Sequence, residues 1–460
     1  MHIEQLYTGC LSQGAYYIES NGEAVVIDPL RETEPYLQRA KRDKATITYI
    51  FETHFHADFV SGHLTLAKQT GATIVFGPNA TTTFDAHVAK DNEVFRVGDI
   101  TITVLHTPGH TMESTTYLLC DASGKQHAIF TGDTLFLGDV GRPDLAQKSA
   151  DITQEQLAGI LFDSLRTKIM PLPDDVIVYP AHGAGSACGK NMMSQTVDTL
   201  GNQKQMNYAL RADMTKAEFI KEVTDGLLAP PAYFPLNVKM NKQGYEHLDT
   251  IIERASLPLS AQDFEALANK TGAIILDVRD QLEFMKGHIP NAIFIGIDGG
   301  FAPWVGALIK DVKQPILLVT PPNRESEVIM RLSRVGFDNT LGFLEGGLAA
   351  WQSAGKQIDT MQTVSAKILK DALDKDMPVF DVRKQGEYSS SHIEKARHTP
   401  LDFINDYLDL FPKSSPFYVH CAGGYRSVIA ASILKSRGIH GGINVTGGFT
   451  SIKQTAIPLV

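Results

Sequence analysis

Short apolar runs that break off at a turn or a polar residue fill the first half of the chain. AVVIDP, TITYIFETH, ATIVFGP, ITITVLHTPGH, TTYLLC, HAIFTGD and DVIVYPAHG are of strand length, and nearly all close on Gly, Pro, His or Asp. Between them, PYLQRAKRD, HLTLAKQTG and TQEQLAGILFDSLRTKI space their apolar residues as helices do. This half is therefore expected to be rich in strands with helices interspersed. Its histidines and aspartates gather just after strands, where a loop displays side chains above a rigid sheet.

The second half repeats itself. ILDVRDQLEFMKGHIPNA (275–292) matches FDVRKQGEYSSSHIEKAR (380–397), with Asp277 and Asp381 separated by the same 104 residues as His288 and His392. PILLVTPPNRESEV (315–328) matches PFYVHCAGGYRSVI (416–429), and FLEGG matches NVTGG, at an offset of 101. Two copies of one α/β unit of about 100 residues follow. The first starts near Leu257, after ASLPLSAQ, and the second near Gln362. A strand followed by a helix in each copy predicts a mainly parallel sheet with helices on both faces.

Composition narrows the picture. A chain of 460 residues fits roughly three domains. The expected division is 1–256, 257–357 and 362–460. Hydrophobic content of 43% and charged content of 20% describe globular material. A net charge of −10 without a basic cluster disfavours nucleic acid and anionic membrane as partners. The first twenty residues lack the layout of a signal peptide, and no apolar run approaches the roughly 20 residues of a membrane span. Four cysteines, at 10, 120, 188 and 421, are too few for a disulfide framework and fit a reducing cytoplasm.

The chemistry begins at THFHADF, which holds His54, His56 and Asp58 with Phe59 behind them. HTPGHT adds His106 and His110, FTGDTLF adds Asp133, and YPAHGAG adds His182. Any one of these alone reads as an ordinary core or solvated residue. As an ordered set at strand ends they are the ligands expected of zinc or non-haem iron.

These motifs, together with GRPD, resemble the metallo-β-lactamase superfamily over about residues 1–250. The resemblance implies an αββα sandwich and is strongest to the glyoxalase II and persulfide dioxygenase branch. In two-metal relatives, one site takes the residues matching His54, His56, His110 and Asp133. The other takes those matching Asp58, position 59, His182 and the shared Asp133. Phe59 leaves that second site one ligand short. The persulfide dioxygenases use one iron, on the residues matching His54, His110 and Asp133, a 2-His-1-carboxylate face with open positions. His56, Asp58 and His182 are then supporting or second-site residues. Phe59 weakens a hydrolytic metal pair and leaves the oxygenase face intact. Arg142, in GDVGRPDL, is a candidate anchor for a substrate carboxylate, its alternative being a structural salt bridge.

HCAGGYRSVIAASIL places Cys421 between an apolar strand and a helix, in a loop with two glycines closed by Arg426. Backbone N–H groups and the helix N-terminus then favour a thiolate. The loop resembles the rhodanese active site, and each repeat resembles a rhodanese domain. Related phosphatases place the arginine one position further on, so the loop here matches those that cradle a sulfane sulfur. The earlier copy carries Thr320 at the cysteine position, and Pro321 and Pro322 remove two N–H donors, so it is expected to be inactive. Cys188, six residues past His182, is a candidate sulfur relay or a small loop residue. Cys120 closes a strand, and Cys10 sits in no motif.

The fold class expected is α/β: an αββα metallo-β-lactamase sandwich followed by two rhodanese-like α/β domains. The resemblance implies a bacterial enzyme of sulfide detoxification, with one Fe(II) per chain. It would oxidise a low-molecular-weight thiol persulfide with O2 to sulfite, and Cys421 with Arg426 would pass a sulfane sulfur to sulfite as thiosulfate. Partners are the persulfide, O2 and sulfite, without nucleic acid or membrane, and self-association into a homo-oligomer is left open. Two alternatives stand beside this reading. One is a zinc-dependent glyoxalase II-type thioester hydrolase with an appended sulfurtransferase. The other is a sulfur-responsive binding module with a structural metal.

Overall fold

Alternation of side chains along the strands sets the layers of the N-terminal half. In the computed structural model, which describes residues 1–145, 151–373 and 377–460, this half carries two six-stranded sheets. The first runs in the order His2–Thr8, Gln13–Ser20, Glu23–Ile27, Thr46–Glu52, Thr73–Phe76, His87–Val88. The second runs Asp198–Thr199, Ile177–Pro180, Gln126–Gly132, Thr115–Cys120, Ile100–His106, Val94–Val97. Tyr16, Ile18, Val25, Ile27 and Phe51 of one sheet meet Ile102, Val104, Tyr117, Leu119 and Phe130 of the other in a shared core. The residues between them on the same strands face outward. Ala15, Tyr17, Ala24 and Val26 pack on Tyr36 and Ala40 of the helix Glu34–Asp43. Leu105, Leu118 and Ile129 pack on Leu161 and Leu165 near the end of the helix Gln154–Ser164. Both faces of each sheet are covered, which is why its strands read as unbroken apolar runs. The result is the expected αββα sandwich.

All seven expected strands and three expected helices of this half form. The hairpin of His2–Thr8 with Gln13–Ser20 lies outside that set, as do the helices Lys216–Thr224 and Phe234–Gln243. Each candidate metal residue follows a strand. The THFHADF loop leaves Thr46–Glu52, HTPGH leaves Ile100–His106, Asp133 leaves Gln126–Gly132, and His182 leaves Ile177–Pro180.

By its internal contacts the chain forms two compact units, Met1–Leu248 and Asp249–Val460, with Arg334–Gly336 grouped with the first. The two repeats, expected as separate domains, thus lie within one unit. Each builds its own five-stranded sheet in the same order. Strands Pro258–Leu259, Thr340–Leu344, Ile316–Val319, Ile274–Asp277 and Ile293–Phe294 correspond to Thr363–Ser365, Gly442–Thr446, Phe417–His420, Val379–Asp381 and Arg397–His398. All ladders in both sheets are parallel, as the repeat pattern predicted. Among the described residues, no helix is long and apolar enough to cross a membrane.

The residues that revealed the repeat are structural. Asp277 takes two charge-assisted bonds from Arg279, whose Nη2 also donates to the Gly287 carbonyl at 2.9 Å. Asp381 and Arg383 do the same, with the Ser391 carbonyl at 2.8 Å. His288 and His392 donate through Nδ1 to the carbonyls of Phe284 and Tyr388, each at 2.9 Å. The paired glycines differ in what they face. A Cβ on Gly448 would come 2.4 Å from the Cys421 carbonyl oxygen and 2.7 Å from that of Ala422, whereas one on Gly347 would meet nothing within 4 Å. Both have positive φ, 53° and 60°. Gly448→Ala and Gly347→Ala therefore share a backbone penalty of about 1 kcal/mol. Gly448→Ala should cost roughly 1–3 kcal/mol more, because backbone atoms must move. Urea denaturation of the two variants checks this; equal midpoints would contradict it.

Candidate metal centre and cysteine loop

Three lone pairs converge at the end of the sandwich. His54, His110 and Asp133 are buried, and one ligand atom from each lies within 4.8 Å of the others. Asp133 Oδ2 stands 3.8 Å from His54 Nε2 and 3.4 Å from His110 Nε2. The tautomers follow from the opposite ring nitrogens. His110 Nδ1 lies 2.8 Å from the Arg142 carbonyl, which can only accept, so Nδ1 carries the proton and Nε2 the lone pair. Thr53 Oγ1 donates to Asp28 at 2.8 Å and so accepts from His54 Nδ1 at 3.0 Å. His54 Nε2 is then also a free lone pair. Asp133 Oδ1 accepts from His182 Nδ1 at 2.8 Å, while Oδ2 is buried with no hydrogen-bond partner. An unpaired buried carboxylate oxygen facing two imidazole lone pairs is a donor set for a cation. The residues fit a single metal ion.

Electrostatics keep these groups ready to bind. Burial works to raise the Asp133 carboxyl, but the His182 imidazole that donates to it outweighs this and holds it far below the carboxylate range. Burial, with His56 nearby, lowers His54 well below its ordinary value, so its ring stays neutral.

His56 turns the other way. Its Nε2 lies 3.0 Å from Asp28 and 3.5 Å from Glu52, both buried. Phe59 stacks on its ring at 4.3 Å. Burial opposes protonation, yet Asp28 and Glu52 push His56 up to about 10. A protonated imidazole has no lone pair to offer a metal. Phe59 thus braces His56 in an acidic pocket. Asp28 and Glu52 carry no motif; the only signal for Asp28 was its place at the end of AVVIDP.

Asp58 and His182 lie beside the convergent set, with His182 Nε2 2.8 Å from Asp58 Oδ2. Cys188 joins them as a second group of possible ligand atoms within 4.8 Å. Burial, then Asp133 and Asp58, push its thiol well above the usual range, which lowers its nucleophilicity. Arg142 does not present an open fork. Its guanidinium donates to Asp144 at 2.6 and 2.7 Å, and to the carbonyls of Ala187 and Leu228. What reaches the metal residues is its backbone, through the carbonyl that orients His110 and an N–H donated to the Cys188 carbonyl.

Cys421 sits where strand Phe417–His420 turns into helix Tyr425–Ser436. The Gly424 N–H donates to its Sγ at 3.1 Å, and Ser427 Oγ lies 3.5 Å away. Arg426 grips Glu387 with both Nη atoms, at 2.6 and 2.8 Å. That bond, against partial burial, holds the Glu387 carboxyl below its ordinary range. In the other repeat the Thr320 hydroxyl donates to Glu325 at 3.3 Å. Glu325 stands where Arg426 stands in the Cys421 repeat, so an acid replaces the arginine at that position as threonine replaces the thiol, and this loop's own arginine, Arg324, lies one position earlier. All four cysteines are free, with Cys10 and Cys120 half-buried.

Residues 8–182 match the sequence family described as the Metallo-beta-lactamase superfamily, and residues 260–354 and 365–455 each match the Rhodanese-like domain. The chain is 30% identical over 221 residues to persulfide dioxygenase ETHE1, mitochondrial, of Homo sapiens, covering 48% of this chain and 78% of that one. It is 34% identical over 171 residues to the hydroxyacylglutathione hydrolase of Tolumonas auensis, covering 36% of this chain and 60% of that one. A solved metallo-beta-lactamase from Staphylococcus aureus aligns with a TM-score of 0.66 at 32% identity, covering 74% of this chain and 98% of that one.

An ion held by His54, His110 and Asp133 binds the native state alone, so it stabilises by about 2.7 kcal/mol at a hundredfold excess over Kd. Chelation should therefore lower the thermal midpoint of the N-terminal unit, and the metal that was removed should restore it. Calorimetry with and without chelator checks this; an unchanged midpoint would contradict it.

Proposed function

Because the chain belongs to the metallo-beta-lactamase superfamily and carries two rhodanese-like domains behind that fold, we propose that it is an iron-dependent persulfide dioxygenase joined to a sulfurtransferase. The observation that carries the reading is the three-ligand face of His54, His110 and Asp133, from which His56 is withdrawn into the Asp28–Glu52 pocket under Phe59. A 2-His-1-carboxylate face with open positions suits Fe(II) oxygen chemistry. The human relative named a persulfide dioxygenase, at 30% identity over 78% of its length, supports the substrate class. When bound, iron supplies the redox coupling that a closed-shell persulfide and triplet oxygen lack.

The overall change balances as persulfide, O2 and water giving thiol, hydrogen sulfite and a proton. The sulfane sulfur loses four electrons and O2 gains them. The chain's residues hold the reaction in place. The Arg142 carbonyl and Thr53 fix the two imidazole tautomers. At the second site, the Cys421 sulfur attacks the terminal sulfur of another persulfide and releases its thiolate. Sulfite then takes that sulfur from Cys421 and leaves as thiosulfate. The Gly424 N–H stabilises charge on Sγ throughout. The four free cysteines support a cytoplasmic setting.

A second reading, a zinc-dependent thioester hydrolase with an appended sulfurtransferase, is supported by the 34% identity to a hydroxyacylglutathione hydrolase. Metal identity and substrate separate the two. Anaerobically purified protein is expected to hold one iron per chain and to consume O2 when a low-molecular-weight thiol persulfide is added, and His110→Ala should abolish that uptake. Two tightly held zinc ions, with thioester hydrolysis faster than persulfide oxidation, would overturn the reading.

The two activities should also separate. Cys421→Ser is expected to keep most of the O2 consumption while the product shifts from thiosulfate to sulfite, read by ion chromatography. Loss of O2 uptake as complete as in His110→Ala would refute the division of labour.

A further inference from the structure

The silent repeat touches the Cys421 loop directly. Tyr425 lies between Gly424, whose N–H meets the sulfur, and Arg426, which closes the loop. Its side chain leaves its own repeat, and its hydroxyl donates to the Gly296 carbonyl of the silent copy at 3.0 Å. The ring meets Phe294 edge-on at 5.7 Å. The same strand is tied back to the active helix, since the Phe294 N–H donates to Ser432 Oγ at 3.0 Å.

The receiving turn, IGIDGG, is shaped for that ring. A Cβ on Gly299 would lie 2.6 Å from the Tyr425 hydroxyl and 2.8 Å from its Cζ, and one on Gly296 would lie 3.4 Å from its Cε2. Real Cβ atoms do not come so close as the first two, so only glycine at 299 admits the ring where it sits. The turn is gripped from its own side too. Arg324, at the position of the silent loop that matches Tyr425, pairs with Asp298 at 2.7 Å. One turn is therefore held by the corresponding residue of both loops.

We propose that the silent repeat serves as a clamp for the sulfur-transfer loop, with Tyr425 as the positioning residue seated on the Gly296–Gly299 turn. The proposal rests on the reading that Cys421 carries the transferred sulfur. Fixing the Tyr425 ring fixes its backbone, and with it the direction of the neighbouring Gly424 N–H towards Sγ. Tyr425 touches no reacting atom; it acts through Gly424. The clamp gives the silent copy a function that needs no nucleophile, which accounts for a loop that has exchanged cysteine, two donors and arginine for Thr320, Pro321, Pro322 and Glu325.

The test uses the full chain with Tyr425→Phe, Tyr425→Ala and Gly299→Ala. Two quantities are read: sulfur transfer from thiosulfate to cyanide, and hydrogen–deuterium exchange of the peptide covering 421–426. Misplacing a catalytic group by a fraction of an ångström costs roughly tenfold or more. Tyr425→Ala and Gly299→Ala should lower kcat by about that factor, with KM for thiosulfate within about twofold of wild type. Tyr425→Phe, which keeps the ring and loses only the bond, should fall between these and wild type. Exchange of the loop peptide should quicken in the same order, while the peptide covering Val379–Asp381 stays as in wild type. If Gly299→Ala does not fold, the two Tyr425 variants decide. Unchanged kcat and loop exchange in Tyr425→Ala would overturn the clamp, as would a loss that appears wholly in KM. If wild type itself moves no sulfur, the functional reading fails, and loop exchange still reports the clamp independently.

Discussion

A carboxylate buried with a free oxygen is the constraint around which the N-terminal unit is arranged. Asp133 commits Oδ1 to His182 and keeps Oδ2 without a partner at the meeting point of two imidazole lone pairs, and a buried polar atom left unsatisfied costs free energy until a cation answers it. Asp28 and Glu52 are buried a few residues away and pose the same problem. They solve it locally: Asp28 takes Thr53 and His56, while Glu52 takes His63, Ser61 and His56. His56 is the group both systems could use. Two acids against one decide the contest, and the Phe59 ring stacked over the imidazole keeps it decided. The number of ligands left for a metal is thus set by charge balance in a pocket behind the metal site.

The two repeats show the same scaffold carrying opposite loops. Strand order, the Asp–Arg pair at the strand end and the histidine on the following turn agree between copies. The loops differ at the nucleophile, at position 426 and in two backbone donors, while Asn323 keeps an N–H where Gly424 has one. One has a thiol, a donated N–H and a cation; the other has a hydroxyl tied to Glu325 and two prolines without donors. Even the distant glycine pair follows the loop, since Gly448 must let the chain approach the Cys421 carbonyl and Gly347 approaches nothing. Asp277 and Asp381 pair in register with Val319 and His420, the last strand residues before each loop, so the same scaffold ends beside both loops whatever chemistry they carry.

Much of this was legible before any coordinates. Strand ends carrying His and Asp identify the metal face, since ligands must be displayed from rigid elements, and repeat spacing identifies two parallel sheets. What escaped was set by contacts distant in sequence. The N-terminal hairpin packs Tyr16 and Ile18 into the sandwich, and Asn21-Gly22, both at positive φ, is the turn signal that closes its second strand. Arg142 invited a reading of its guanidinium, whereas Asp144, two residues on, captures that group and leaves the carbonyl to orient His110. The withdrawal of His56 depends on Asp28, twenty-eight positions earlier, and no local pattern ties the two together. The contact that the silent repeat makes with the Cys421 loop runs through Tyr425, which reads as a loop filler until Gly296 and Gly299 appear opposite it.

These omissions share a physical character. Motifs name atoms that touch the reacting centre, because chemistry restricts those residue types narrowly. The groups that aim them are backbone carbonyls, a threonine hydroxyl, a glycine's missing side chain and a neighbouring acid, and many residue types can supply such contacts. A carbonyl accepts a proton from Nδ1 whatever side chain it belongs to, so its identity leaves no trace in the sequence while still deciding which nitrogen of His110 is free. The ligand set limits which ion and which sulfur chemistry are available here. The supporting groups determine which limit applies: they free Nε2 on two histidines, remove His56 from the set, and hold Gly424 against the Cys421 sulfur.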